Sequence, residues 1–219
     1  IVSGNLHVNG AVDTAGLACT TCHGSTLVAT GTQDPNVGAA PRGTGAPDTY
    51  GNTAVTSAGV GVHGSHVLGT RSRPVLCNAC HAVPTANVHK TGVATAGTVT
   101  FGNLASTGGA SSSYAGSGGT CASTYCHGNF AGGAGTAATP AWTASGTLAC
   151  TSCHGNPPPA PHVQNTTCSN CHTGYTNTSV AGSTHVDGAV NVVTLTCTTC
   201  HGDSTRTGSD PYIAAMPPA

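Results

Sequence analysis

The pattern of apolar and polar residues along the chain predicts little regular secondary structure. No long stretch alternates apolar and polar side chains, and only residues 98–102 and 190–194 have the β-branched composition of short strands. Proline and glycine interrupt residues 25–62 too often for a long helix, and residues 102–120 have the composition of a flexible loop. We therefore expect residues 25–62 to form a motif-free wrap that faces solvent.

Large apolar side chains are too few to build an ordinary protein core. Aromatic residues make up 4% of the 219-residue chain and charged residues 5%, whereas glycine (32) and proline (13) are abundant. Burial of so little apolar surface does not offset the conformational entropy that folding removes. The low charge, however, is unlike that of solvated disordered chains. A large apolar cofactor that supplies the core would resolve this conflict.

Cysteine and histidine recur in one motif. Five copies of Cys-x-x-Cys-His, and one copy with four residues between the cysteines, use all 12 cysteines of the chain. In such a motif the cysteines attach a haem through thioether bonds, and the adjacent histidine ligates its iron. The predicted attachment residues are Cys19, Cys22, Cys77, Cys80, Cys121, Cys126, Cys150, Cys153, Cys168, Cys171, Cys197 and Cys200. The predicted iron ligands within the motifs are His23, His81, His127, His154, His172 and His201.

The histidine count predicts a second axial ligand for every iron. Six of the 12 histidines lie outside the motifs, and these spare histidines equal the motifs in number. Iron with two axial histidines requires this ratio, so we expect six covalently attached haem c groups. The predicted second ligands are His7, His63, His66, His89, His162 and His185. His63 and His66 are spaced to share one face of a helical turn, where they would ligate two neighbouring haems.

Two other uses of cysteine remain open at this point. Twelve cysteines would suffice for six disulfides in a secreted scaffold, but disulfides leave the six adjoining histidines unexplained. Copies of Cys-x-x-Cys-His would also supply Cys3His or Cys2His2 zinc sites. The equal numbers of motifs and spare histidines favour haem over both alternatives.

Two internal repeats connect the spare histidines to the motifs. The segment from His7 reads His-Val-Asn-Gly-Ala-Val-Asp, and the segment from His185 reads His-Val-Asp-Gly-Ala-Val-Asn. In both segments the histidine precedes the first cysteine of the next motif by 12 residues. In the second repeat, His81 and His154 are each followed by a proline at +3 and a spare histidine at +8. The spare histidines therefore belong to the haem arrangement.

These observations predict a fold of mostly irregular coil with a few short helices and minimal strand, wrapped around a chain of six covalently attached haems. Residues 1–219 would form a single domain. Within it we distinguish an N-terminal haem unit (1–24), the wrap (25–62), a repeat region (63–201) and a tail (202–219).

The repeat region combines several elements of a known family. They are His63-x-x-His66, Cys77-x-x-Cys80-His81 with Pro84 and His89, Tyr125-Cys126-His127-Gly128, Pro140-x-Trp142, and Cys150-Thr-Ser-Cys153-His154 with Pro157, Pro158 and His162. This stretch resembles the CxxxxCH/CxxCH repeat domain of multihaem cytochromes from metal-reducing bacteria. In that family the CxxxxCH element is also a haem site. The resemblance therefore implies that Cys121, Cys126 and His127 hold haem.

The plan of six haems, paired histidines and low charge is also similar to the extracellular cytochrome nanowires of the outer-membrane cytochrome S type. That resemblance implies a polymer whose haems run in an unbroken stack. Because His7 lies near a chain end and its segment repeats that of His185, we expect a head-to-tail homopolymer with His7 donated to a neighbouring subunit. A monomeric periplasmic shuttle, whose His7 binds its own haem, is the alternative.

We expect long-range electron transfer rather than catalysis. Histidine at both axial positions leaves no open coordination site on iron. With no glutamate and six aspartates, the chain has few groups for an acid–base pocket. A multihaem reductase is the alternative, and carbon monoxide binding would distinguish the two. The expected partners are further copies of the chain, other redox proteins and extracellular electron acceptors, with no nucleic acid.

The sequence also suggests where the protein acts. No run of about 18 apolar residues is present, so we expect no membrane span. The chain starts at Ile1 without a signal peptide, which we interpret as a mature, processed form. Haem attachment of this kind accompanies export. We therefore expect an extracellular or cell-surface location, with the periplasm as the alternative.

Overall fold

The computed structural model describes residues 18–25, 37–83, 98–116, 119–131, 133, 139–144, 146, 148–195 and 208. Within these residues the chain is mostly irregular coil, with one α-helix, α1 (His63–Val67), and one antiparallel sheet of two strands, β1 (Ser113–Tyr114) and β2 (Cys121–Ala122). Seven short 3-10 helices accompany them: Cys19–Thr21, Val37–Ala39, Cys77–Ala79, Asn103–Gly109, Tyr125–His127, Cys150–Ser152 and Cys168–Asn170. The predicted class, irregular coil with a few short helices and minimal strand, is confirmed. None of the helices in this part of the chain has the length and apolar character that a membrane crossing requires.

The described Cys-x-x-Cys-His motifs share one local conformation. Their first three residues form a 3-10 helix, and the residue before it is extended in three of them, at Ala18 (ψ 157°), Leu76 (ψ 149°) and Ala149 (ψ 158°). In a 3-10 helix the side chains at positions i and i+3 eclipse each other. The two cysteines of each motif therefore project from the same side of the turn, as attachment to one haem requires.

The motif with the longer spacer folds differently. Cys121 lies on β2 and pairs with Tyr114 of β1, whereas Cys126 and His127 lie in the 3-10 helix that follows. Between them, Ser123 adopts a left-handed conformation with φ 54°. The two extra residues thus turn the chain from the strand into the helix that carries the second cysteine and the histidine.

Residues 37–62 contain buried apolar side chains, whereas residues 49–54 are exposed, so only part of this segment faces solvent. Val37, Ala40 and Val60 are only 2%, 8% and 1% exposed. Val37 and Ala40 form a buried cluster with Val67 of α1. These side chains are small and follow neither a helical nor a strand period. Their burial therefore leaves no signal in the pattern of the sequence.

Neither predicted strand is present, because residues 98–102 and 190–194 are coil. In the first segment, the N–H of Thr100 donates to the carbonyl of Cys80, the second cysteine of a haem motif, at 2.9 Å. In the second segment, the N–H of Val193 donates to the carbonyl of Cys171, the second cysteine of a later motif, also at 2.9 Å. A ladder needs a neighbouring strand, and a 3-10 turn does not provide one. The β-branched segments therefore lie along the motifs as extended coil.

Residues 102–120, which composition identified as a flexible loop, contain the 3-10 helix Asn103–Gly109 and strand β1. The hydroxyl of Ser112 donates to the carbonyl of Ala105 at 2.8 Å, and Ala105 is 3% exposed. This segment therefore contributes to the packed interior around the CxxxxCH motif.

Candidate functional site

The described histidine rings form four pairs, each of which joins a motif histidine to a spare histidine. The ring centres are 6.2 Å apart for His63 and His81, 6.1 Å for His66 and His127, 6.5 Å for His154 and His185, and 6.2 Å for His162 and His172. A metal ion bound about 2 Å from one nitrogen of each ring would separate the ring centres by about 6 Å. All four gaps therefore fit a haem iron between two axial histidines.

The pairing does not simply follow the order of the chain. His66 pairs with His127 and not with His81, the histidine of the first motif after it in the sequence. His185 pairs with His154, which precedes it by 31 residues. The other two spare histidines pair with the motif that follows them. The sequence thus identified both groups of ligands, and the structure adds which members of each group meet.

Part of the predicted site lies outside the described residues: Cys197, Cys200, His201, His7 and His89. The first motif is described at Cys19, Cys22 and His23. The Nδ1–H of His23 donates to the carbonyl of Ala39, next to the buried cluster that includes Val67 of α1. The first motif therefore lies close to the helix that carries two of the spare histidines.

Main-chain carbonyls orient eight of the nine described imidazoles. The histidines whose Nδ1 makes such a bond are His23, His63, His66, His81, His154, His162, His172 and His185. A carbonyl oxygen only accepts, so Nδ1 carries the proton in each bond. This fixes the tautomer and leaves Nε2 as the unprotonated nitrogen, which is the arrangement found at metal-bound histidines.

Burial keeps two of the candidate ligands neutral. It lowers the pKa of His63 to about 4, and it lowers the pKa of His127 to about 4 as well. The neutral imidazole is the form that binds a metal. Nδ1 of His127 is buried and has no hydrogen-bond partner among the described residues. Packing, rather than a carbonyl, therefore orients this ring.

Two of the motif cysteines, Cys80 and Cys126, lie where a free thiolate is disfavoured. None of the ten described cysteines is joined in a disulfide. Burial, strengthened by neighbouring cysteines, raises the pKa of Cys80 to about 11 and that of Cys126 to about 12. This environment disfavours a free thiolate, whereas a thioether sulfur carries no charge to desolvate. Within the described part of the chain, no three His, Cys, Asp or Glu side chains are grouped as a metal-binding cluster.

Helix α1 carries both His63 and His66, which confirms the prediction that they share one helical turn. Trp142 lies against both rings, with its centre 4.7 Å from that of His63, edge to face, and 5.9 Å from that of His66. Sequence reasoning did not assign Trp142 to the site. The signal that pointed to it was the Pro-x-Trp element of the family resemblance.

Successive motifs are also connected to one another. The sulfur of Cys153, in the fourth motif, lies 3.9 Å from the carbonyl oxygen of Cys126, in the third. The ring of Tyr175 lies 5.8 Å from that of His172 and 6.1 Å from that of His185. Tyr175 therefore connects the histidine pairs of the fourth and fifth motifs.

Comparison with known proteins identifies one part of the chain. A family model described as the Geobacter CxxxxCH...CXXCH motif matches residues 120–154. No curated protein and no solved structure matches the chain. The matched residues include Cys121, Cys126 and His127, so the longer-spacer motif is a recognised element. The resemblance to nanowire subunits is not touched by this match and stays a prediction. Residues 120–154 thus carry a motif of multihaem c-type cytochromes, which supports electron transfer through covalently bound haem.

Proposed function

We propose that this chain carries electrons over long distances through six c-type haems, each ligated by two histidines, and that it is the subunit of an extracellular filament. The four imidazole pairs, each about 6 Å between ring centres as one bridging metal ion requires, carry the proposal. Each haem supplies a one-electron redox centre, and the chain holds, orients and shields it. Because both axial positions are occupied, the haems have no coordination site for a substrate, and we propose transfer rather than catalysis.

The contacts between motifs support a continuous path in chain order. His63 and His66 belong to different pairs yet lie one helical turn apart, so the second and third haems would be neighbours. The contact of Cys153 with the Cys126 carbonyl brings the third and fourth motifs together. Tyr175 then connects the fourth pair to the fifth.

The haem count follows from what remains unpaired. His23 and His201 are motif histidines without an assigned second ligand, and His7 and His89 are the spare histidines left over. Two ligands for two irons complete a set of six bis-histidine haems.

The repeat supports donation of His7 to another subunit. His185 and His7 occupy equivalent positions in the two repeat segments, 12 residues before the next motif. Among the described residues, the ring of His185 pairs with that of His154, which belongs to a preceding motif. By analogy with His185, we propose that His7 ligates a haem other than the one at His23, and that this haem belongs to a neighbouring copy. A heterologous contact of this kind, which does not close into a ring, builds a filament.

Haem analysis tests the electron-transfer part of the proposal. The purified protein is expected to contain six covalently bound haems by pyridine haemochrome assay, all low-spin. The reduced protein is expected not to bind carbon monoxide. A substantial high-spin fraction, or carbon monoxide binding by the intact reduced protein, would indicate an open iron and favour the multihaem reductase instead.

Assembly is tested with two matched variants, His7→Ala and His89→Ala, each of which removes one spare histidine. We expect filaments to be lost or weakened in the first and retained in the second, as judged by sedimentation and electron microscopy. Loss in both or in neither contradicts the role of His7. If the unmodified, haem-loaded chain sediments only as a monomer at high concentration, the filament is excluded and a periplasmic shuttle takes its place.

A further inference from the structure

We propose that Trp142 is a positioning residue that sets the orientation of the spare-histidine ligands of two neighbouring haems at once. The inference rests on the proposed haem ligation and concerns residues that the motifs do not contain. An aromatic side chain beside one axial ligand affects one iron. Trp142 contacts His63 and His66, whose rings belong to two different pairs.

The direct contacts differ for the two rings. The edge of one aromatic ring meets the face of the other at His63, where the planes are 89° apart and the centres 4.7 Å apart. At His66 the planes are inclined by 31° and the centres are 5.9 Å apart. Edge-to-face and offset stacked arrangements are both favoured for aromatic rings. The indole therefore restricts the rotation of both imidazoles about their side-chain bonds.

Trp142 also holds the backbone that orients the same rings. Its Nε1–H donates to the carbonyl of Ala58 at 2.7 Å, and its own carbonyl accepts from the N–H of Val62 at 3.1 Å. The carbonyls of Val60 and Val62 accept the Nδ1–H bonds of the two α1 imidazoles, at 2.8 and 3.0 Å. Both carbonyls thus lie in a short segment that Trp142 binds on either side.

Gly61 provides the space for the indole. Its φ is +44°, and a Cβ at this position would overlap the indole ring of Trp142. The N–H of Trp142 donates to the carbonyl of Gly119 at 2.8 Å, so the tryptophan backbone is also fixed and the ring cannot simply retreat. Gly61→Ala therefore displaces the indole without removing it and also strains the backbone between Val60 and Val62, so it perturbs the same unit from the opposite side.

The experiment uses the haem-loaded full chain and low-temperature electron paramagnetic resonance of its oxidised form. The variants are Trp142→Ala, the conservative Trp142→Phe, and Gly61→Ala. Tyr50→Ala is the control, since that ring is 82% exposed. The wild-type spectrum tests the proposed ligation, because it shows low-spin signals only if two strong ligands bind each iron. Comparison of the variants tests Trp142 separately.

We expect Trp142→Ala and Gly61→Ala to alter the signals of two haem equivalents, with the others unchanged, and Trp142→Phe to restore most of the wild-type spectrum. Potentiometric titration is expected to show two shifted centres. A change at one haem, an equal change at all haems, or no change in either variant would overturn the proposal. If Trp142→Ala fails to load haem, Gly61→Ala and Trp142→Phe decide the question by the same criteria.

Discussion

Substitution of Gly128 tests whether neighbouring haem motifs are in close contact. Gly128 has φ +101°, and a Cβ there would lie 2.9 Å from the carbonyl oxygen and 3.3 Å from the Cα of Cys153, in the next motif. Both are backbone atoms, so they cannot move aside as a flexible side chain would. We therefore expect Gly128→Ala to lower the free energy of unfolding in two ways. The unfavourable backbone conformation costs about 1–3 kcal/mol, and overpacking against Cys153 costs about 1–3 kcal/mol more.

Gly51→Ala is the matched control. Gly51 also has positive φ, +82°, but no atom lies within 4 Å of the position that a Cβ would take. Gly51→Ala therefore lowers the free energy of unfolding only through the unfavourable backbone conformation. The difference between the two variants is therefore the packing contribution, about 1–3 kcal/mol. For a chain of this length, each kcal/mol lowers the melting temperature by about 2–4 °C.

The assay is differential scanning calorimetry of the haem-loaded variants. We expect the Gly128 variant to melt roughly 2–12 °C below the Gly51 variant. Equal melting temperatures would refute the reasoning, since they would mean that the third and fourth motifs do not abut. The electron path through these two motifs would then lose its structural support.

Three further expectations can be checked on the same protein. Near-parallel axial imidazole planes give rhombic low-spin ferric signals and near-perpendicular planes give more anisotropic ones. The four pairs have interplanar angles of 10°, 30°, 78° and 81°, so both classes of signal should appear, and a spectrum with one class contradicts the pairing. His162→Ala should open a single iron to carbon monoxide, whereas Val163→Ala, at a neighbouring residue that is 53% exposed, should open none. Carbon monoxide binding by the Val163 variant would mean that any disturbance of this loop opens the iron, and that loss of the His162 ligand is not the cause. Native electrophoresis should show a net charge far more negative than the formal −1 of the polypeptide, because twelve ionised haem propionates add roughly −12. A mobility close to that expected for a charge of −1 would mean that the propionates are protonated or neutralised.

Local sequence was sufficient to predict what is built from neighbouring residues. His63 and His66 are three positions apart, and the helical turn between them places both rings near Trp142. The motif cysteines are likewise close in sequence, and their 3-10 turns satisfy the attachment pattern without help from distant residues.

Partner choice was not predictable from sequence, because it depends on the path of the chain between the ligands. The count of spare histidines gives a ratio and no pairing. His185 lies 12 residues before a motif, and that spacing suggests a local ligand. Instead, the main-chain carbonyl of Arg71 accepts the Nδ1–H of its ring, and the N–H of Arg73 donates to its carbonyl. Those long-range bonds direct its ring to His154.

The errors in the fold prediction have a related cause. Residues 98–102 and 190–194 have strand composition, but a strand forms only where another strand is available to pair with it. Burial of Val37 and Val60 was missed because isolated small side chains carry no periodic signal. In both cases the deciding neighbour is distant in sequence.

The backward pairing of His185 with His154 has a consequence for how the protein matures. Three of the four described pairs have a spare histidine that is synthesised before its motif, so their irons can acquire both ligands as soon as haem is attached. In the proposed ligation, the haem at Cys150 and Cys153 would gain its second ligand only with His185, 31 residues after His154. If haem is attached while the chain emerges from its N-terminus, this haem would pass through a stage with one histidine only. It would then be the described centre most open to stray ligands and oxygen.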